Sequence, residues 1–184
     1  MKVDSVPLPA TGRGREAEFD AAAIGALYEH HLPAIYSYLL AQCRSGEDAE
    51  DLSQQVFIQA LAALPRYHAH GIPIRSWLFR IARNLLIDSR RRRRPVTPWE
   101  LLPESEYPAA GDDVEAAVLR RDAVRRLRPL LAGLEPEKRD LLALRFAGGL
   151  TVPEMAAVLN RTEPAIRSEL RRILHALREG YAHD

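Results

Sequence analysis

The stretch from Thr151 to Arg178, TVPEMAAVLNRTEPAIRSELRRILHALR, constrains the fold more than any other part of the chain. It reads as two short amphipathic helices joined by a tight turn. Thr151 can cap the first helix through its hydroxyl while Glu154 reaches back to the cap's backbone N–H, and Pro153 fits the first turn, where no intrahelical donor is needed. Val152, Met155, Ala156 and Leu159 then line one face. Asn160 suits a left-handed turn, Thr162 can cap the second helix with Pro164 in its first turn, and Ile166, Leu170, Ile173, Leu174 and Leu177 repeat at helical spacing. The opposite face carries Arg167, Ser168, Arg171, Arg172, His175 and Arg178. A helix from Glu163 to Arg178 would be about 24 Å long, and its N-terminal turns could enter a major groove about 12 Å wide. This is the layout of a DNA-binding helix-turn-helix; an ordinary helical hairpin with a solvated charged face shares the pattern.

The rest of the chain adds partners of more than one kind. A formal net charge of +1 over 184 residues conceals segregation. Arg90 to Arg94 form a basic run, whereas Val96 to Glu115 holds Glu100, Glu104, Glu106, Asp112, Asp113 and Glu115 with no Lys or Arg. Lys2 and Lys138 are the sole lysines, so the positive charge sits almost wholly on guanidinium groups, which grip phosphates bidentately and stack on bases. Cys43 is the single cysteine, which excludes an internal disulfide and a zinc site of several cysteines and fits a reducing cytoplasm. No apolar run reaches the roughly 18 residues of a membrane span, and the N-terminus lacks the apolar core of a signal peptide. A soluble cytoplasmic protein is expected.

Hydrophobic content of 47% is enough for packed cores, and the spacing of apolar residues is helical throughout. The expected fold is all-α with two small helical domains. Residues 1–18 read as a flexible, Pro/Gly-rich tail. Residues 19–94 read as a first domain of roughly four helices, with breaks at Ser45-Gly46, Pro65 and Gly71-Ile72-Pro73. Residues 95–115, punctuated by Pro95, Pro98, Pro103, Pro108 and Gly111, read as an acidic linker. Residues 116–184 form the second domain: helical spacing interrupted around Pro129, Gly133 and Pro136, then a helix to Ala147, then the helix-turn-helix.

Two further segments carry chemistry. In GEDAEDLSQQVFIQALAAL, Glu47, Asp48, Glu50 and Asp51 open a helix where the macrodipole favours negative charge. Asp51, Gln54 and Gln55 project together beside Leu52, which would also suit docking onto a basic helix. In RYHAHGIPIRSWLFRIARNLLIDSRRRRR, Tyr67, His68, His70 and Trp77 interleave with Arg66, Arg75, Arg80 and Arg83, and Asn84 follows Trp77 by two turns on roughly the same face. Aromatic platforms beside guanidinium groups and an amide suit unpaired nucleotides, which need a stacking surface and an edge partner. The same residues, Trp77, Leu78, Ile81, Leu85 and Leu86 among them, also read as core. His68 and His70 lack the cysteine or carboxylate neighbours of a metal site.

Three motifs together resemble a known family. DAEDLSQQVF at Asp48 to Phe57, RSWLFRIARNLLID at Arg75 to Asp88, and LALRFAGGLTVPEMAAVLNRTEPAIRSELRRI at Leu142 to Ile173, in this order and separation, are similar to those of extracytoplasmic-function sigma factors, the two-domain promoter-recognition subunits of bacterial RNA polymerase. The resemblance implies that the first domain docks on the coiled coil of the polymerase's largest subunit through Asp48, Asp51, Leu52, Gln54 and Gln55. It implies that the same domain melts the minus-ten element and holds its single strand with Tyr67, His68, Ser76, Trp77, Arg80 and Asn84. Arg90, Arg91, Arg92, Arg93 and Arg94, with Arg145, would hold phosphates. Arg167, Ser168, Arg171 and Arg172 would read the minus-35 duplex, the linker would thread toward the active-site cleft and RNA exit path, and the polymerase flap region would be a second contact. An anti-sigma protein is a further partner the resemblance allows.

This sequence departs from the family in places. The family usually has Gly-Thr where Pro164-Ala165 stand, arginine where Glu169 stands and a carboxylate where Gln55 stands. Glu169 would either accept a hydrogen bond from cytosine N4 or point away from the phosphates. The competing reading is a dimeric helix-turn-helix repressor of duplex operators, which has no need of the Trp77/Asn84 segment. A helical adaptor binding only proteins would leave Arg167, Arg171 and Arg172 without a role. No phosphate loop, nucleophile–base arrangement or metal cluster is legible, so no catalytic residue, cofactor or metal is expected.

Overall fold

The computed structural model describes residues 21–67, 72–92 and 114–183, and the described residues contain helices and no strand. Among the described residues seven α-helices follow one another: α1 (Ala21–Leu40), α2 (Gly46–Ala63), α3 (Ile74–Arg92), α4 (Val114–Ala132), α5 (Pro136–Leu142), α6 (Val152–Leu159) and α7 (Glu163–His183). Among the described residues the first domain has three long helices; at the break expected at Pro65 the chain makes a single 3₁₀ turn, Leu64–Arg66, and residues 68–71, where a further piece would fall, lie outside the described residues. The tail and most of the linker lie outside the described residues. The linker's last two positions, Val114 and Glu115, already belong to α4.

Local chemistry accounts for the helix ends. Ser45 caps α2 by accepting from the Asp48 backbone N–H at 3.1 Å, and Glu47 and Asp48 fill the first turn, where the dipole is positive. Pro136 opens α5, and the run then widens into a π-helical turn, Ala143–Ala147, instead of continuing as one α-helix to Ala147. The π turn brings the Gly148 N–H to Ala143 O and leads through Gly149, at φ +64, into the next helix. Pro33 lies inside α1 and Pro129 inside α4. The break expected near Pro129 therefore does not occur: a proline removes one intrahelical donor, and α4 continues through it to Ala132.

In the first domain, α1, α2 and α3 bury Ile35, Tyr38, Leu39, Val56, Leu78 and Phe79. The second encloses Leu141, Leu144, Leu150, Met155 and Ile166. Complete burial of side chains of this size contributes about 1.5–3 kcal/mol each. The two sets form one continuous apolar cluster, with α6 packed along α3 and the π turn against α1.

Candidate nucleic-acid interface

The first helix of the helix-turn-helix has the caps its sequence requires. Thr151 accepts from the Glu154 N–H at 3.4 Å, Glu154 Oε2 accepts from the Thr151 N–H at 2.7 Å, and Asn160 closes α6 in the left-handed region at φ 51. Met155 and Val158 are buried beneath α6, while Val152, Ala156 and Leu159 are only partly covered. On α7, Ile166, Leu170 and Ile173 face the core, and Leu174 is 37% exposed. The outer face of α7 presents Arg167, Ser168, Arg171 and Arg172 together, all exposed. Arg167 is paired with Glu163 one turn earlier. Glu169 is half-buried and paired with Arg161 from the inter-helix turn, so its charge is directed back into the motif.

On α3, Trp77 is half-buried and Asn84 exposed. Tyr67, just before the chain enters residues 68–71, sets its ring 4.7 Å from that of Trp77 and donates its hydroxyl to Ile72 O at 2.7 Å. Burial raises the Tyr67 pKa, so the phenol keeps this proton. These contacts hold Tyr67 against the start of α3. His68, with His70, lies outside the described residues. Ser76 is completely buried and its hydroxyl has no hydrogen-bond partner among the described residues, so the expectation that it lines a strand-binding surface is corrected. Arg80 is half-buried and gives its Nε to Ala157 O of α6 at 2.8 Å.

The basic end of α3 divides in two. Arg91 and Arg92 are exposed. Arg90 donates to Gln42 Oε1 at 3.0 Å and so ties α3 to the end of α1, a role its place in an arginine run does not reveal. Arg93 and Arg94 lie outside the described residues. Arg145 is exposed but donates to Leu150 O at 2.7 Å, bracing the π turn.

On α2, Asp51, Gln54 and Gln55 are exposed on one side, with Ile58 at 66% and Leu61 at 41% exposure continuing the same helix. Asp48 is half-buried at the N-terminus. Leu52 is a correction: it is 7% exposed and belongs to the core, because its spacing with Val56 turns it inward. Sequence reasoning missed Ile58 and Leu61; large apolar residues interspersed among solvated ones were the available signal. It also missed an apolar cavity of about 470 Å³ between α4, the π turn and α7, lined by Leu131, Phe146, Leu174 and Tyr181 among others. Phe146 is 63% exposed there.

Residues 27–96 match Sigma-70 region 2, and residues 125–177 match Sigma-70, region 4. The sigma factor SigD of Mycobacterium tuberculosis is 33% identical over 166 residues, covering 87% of this chain and 77% of that protein. ShbA of Streptomyces griseus is 35% identical over 173 residues, covering 89% of this chain and 90% of that protein. The chain belongs to the extracytoplasmic-function RNA polymerase sigma factors. A longer relative, BldN of Streptomyces coelicolor, is 34% identical over 167 residues, and this sigma factor spans 60% of its length. The fold agrees: CnrH, solved in complex with the cytosolic domain of CnrY, aligns with a TM-score of 0.65 at 26% identity over 90% of this chain and 91% of that one. The sigma factor RpoE of Bartonella quintana, solved with the anti-sigma factor NepR, aligns with a TM-score of 0.63 at 20% identity over 87% of this chain and 97% of that one. The repressor reading is not favoured. No helix among the described residues is long and apolar enough to cross a membrane, and no group of three or more metal-ligating side chains occurs among them.

Proposed function

We propose that this sigma factor directs core RNA polymerase in the cytoplasm to promoters by reading the minus-35 duplex with α7 and holding the melted minus-ten strand on α3. The observation that carries the reading is the α3 arrangement: a half-buried Trp77, braced by Tyr67 at 4.7 Å, with the exposed amide of Asn84 two turns on along the same face. A duplex-only reader has no use for an aromatic support beside an amide edge; an unstacked base needs both. Asn84 offers a donor and an acceptor to that edge.

The duplex contact is assigned to Arg167, Ser168, Arg171 and Arg172, and Arg91 and Arg92 supply charge for nearby phosphates. Polymerase docking is assigned to Asp51, Gln54 and Gln55, flanked by Ile58 and Leu61, where acidic and apolar groups together suit a basic amphipathic helix of the coiled coil. The apolar cavity around Phe146 and Leu174 suits an apolar element of the flap region. Catalysis stays with the polymerase, and an anti-sigma protein is proposed as a regulator by likeness to the complexes of CnrH and RpoE. The test is transcription from genomic promoter fragments by purified core polymerase with and without the protein. Defined transcripts that depend on the protein are expected; repression of transcripts, or duplex binding that is indifferent to polymerase, would support the repressor instead.

A further inference from the structure

We propose that Arg161, in the turn before α7, grips a phosphate of the minus-35 duplex and that Glu169 holds it in position to do so; this rests on the reading of α7 as the duplex-reading helix. Arg161 is fixed at both ends. Its backbone N–H donates to Ala156 O at 3.0 Å, and the preceding Asn160 sets the turn in the left-handed region at φ 51. At the other end its Nη2 donates to Glu169 Oε2, nearly two turns into α7. The arginine side chain nevertheless keeps 41% of its surface exposed, against 19% for the glutamate. A guanidinium carries its N–H donors in a fixed fork, so one bond to a carboxylate leaves others for a second acceptor.

Surface ion pairs add little to stability, so the consequence of this one lies in what it aims. With Ile166, Leu170 and Ile173 turned to the core, the helical repeat puts Ser168 outermost, Arg167 and Arg171 to one side of it, and Glu169 and Arg172 to the other. A helix of about 10–12 Å diameter in a major groove about 12 Å wide meets a phosphate strand on each side. One flank offers Arg167 and Arg171, and Arg167 is itself paired with Glu163. The other flank would bring the Glu169 carboxylate toward phosphates with Arg172 alone beside it. Arg161 changes that flank, because it offsets the carboxylate and stands exposed at the end of the helix that enters the groove.

Each partner does something different to binding. Arg161 supplies a charge-assisted contact. Glu169 is a positioning residue: it lowers the cost of ordering a long, rotamer-rich side chain on binding, since that ordering already exists in the free protein. Its negative charge by itself acts the other way and repels phosphates. Removing the carboxylate therefore has opposite consequences with and without Arg161: positioning is lost in the first case, and only repulsion is relieved in the second. A pair that merely steadied the turn would show no such reversal.

The test uses the full chain with core polymerase and a duplex that this complex selects from a randomised pool. Binding is measured against salt for the wild type, Arg161→Ala, Glu169→Ala and the double variant, with Arg171→Ala as reference. Arg161→Ala is expected to bind about tenfold more weakly, with a salt slope smaller by about one unit and an unchanged base preference. Glu169→Ala should weaken binding about threefold in the wild-type background, although it removes a negative charge, and tighten it in the Arg161→Ala background. Single methylphosphonates along both strands should reveal one position whose neutralisation weakens the wild type but not Arg161→Ala. Should Arg161→Ala lose its helical circular dichroism, Arg161→Gln, which keeps a donor to Glu169 and removes the charge, decides in its place. Tighter binding by Glu169→Ala alone, or an Arg161 variant that matches the wild type in affinity and salt slope, overturns the proposal. If Arg171→Ala is weakened in that same series, Arg161 alone is struck; if it too matches the wild type, or if no duplex is selected, the reading of α7 falls with the proposal.

Discussion

Tyr67 and Trp77 hold their rings 4.7 Å apart at an interplanar angle of 41°, on either side of the segment that leads into α3. The pair has a structural duty that Asn84, exposed two turns later, does not share. Asn84→Ala is therefore expected to keep the protein's thermal stability and its affinity for polymerase while relaxing base preference at one minus-ten position. Trp77→Ala should remove stacking worth roughly 1–3 kcal/mol per base and also loosen the packing of α3. Melting temperatures beside minus-ten selectivity separate the two: an Asn84→Ala protein that melts early would make Asn84 a structural residue.

Arg171 and Arg172 are exposed on α7. Arg171→Ala and Arg172→Ala should weaken use of the upstream element without unfolding the domain. A lost bidentate base contact costs about 1–3 kcal/mol and relaxes sequence preference at one position, whereas a lost phosphate contact lowers the salt slope by about one unit. Titrations of minus-35 mutants at several salt concentrations tell which residue does which. Glu169 is held by Arg161, so Glu169→Gln should alter the fit of the turn more than the choice of base.

Docking through α2 predicts that Asp51→Arg with Gln54→Arg reduces co-purification with core polymerase by tenfold or more, while circular dichroism stays that of the wild type. Both side chains are exposed, which removes a folding explanation. Undiminished co-purification would move the docking face elsewhere.

His31 is buried on α1, and its pKa is lowered to about 4, first by burial and then by His30 and Arg75, with Glu154 opposing. The folded protein thus stays unprotonated there down to about pH 4, whereas the unfolded chain takes up the proton near pH 6.5. Stability from this group is complete above about pH 6.5 and declines as pH falls toward 4, by up to about 3 kcal/mol. Denaturant melts between pH 7.5 and 4.5 should show the decline, and His31→Gln should flatten it. Identical pH slopes for the two proteins would assign the decline to other groups.

Local signals were legible in the sequence because local chemistry produces them. The Thr151/Glu154 capping box and the left-handed Asn160 stand where the motif spacing puts them, since a cap depends on residues three or four apart. Side-chain orientation along a helix was less legible: Leu52 and Ser76 stand amid exposed or charged neighbours yet are buried. Arg90 shows why a charge run says little about its members, as one guanidinium serves Gln42 while Arg91 and Arg92 remain exposed. The contacts of Asp140 could not be read at all, because Tyr38, Gln42 and Arg83 meet it only once both domains are folded and packed.

The most direct test of promoter recognition and melting is permanganate footprinting of thymines on a promoter fragment incubated with core polymerase and this protein. A short reactive stretch at the minus-ten element is expected, one that requires both proteins and fades in Asn84→Ala. Thymines no more reactive than with core polymerase alone, on every promoter that binds the pair, would contradict it.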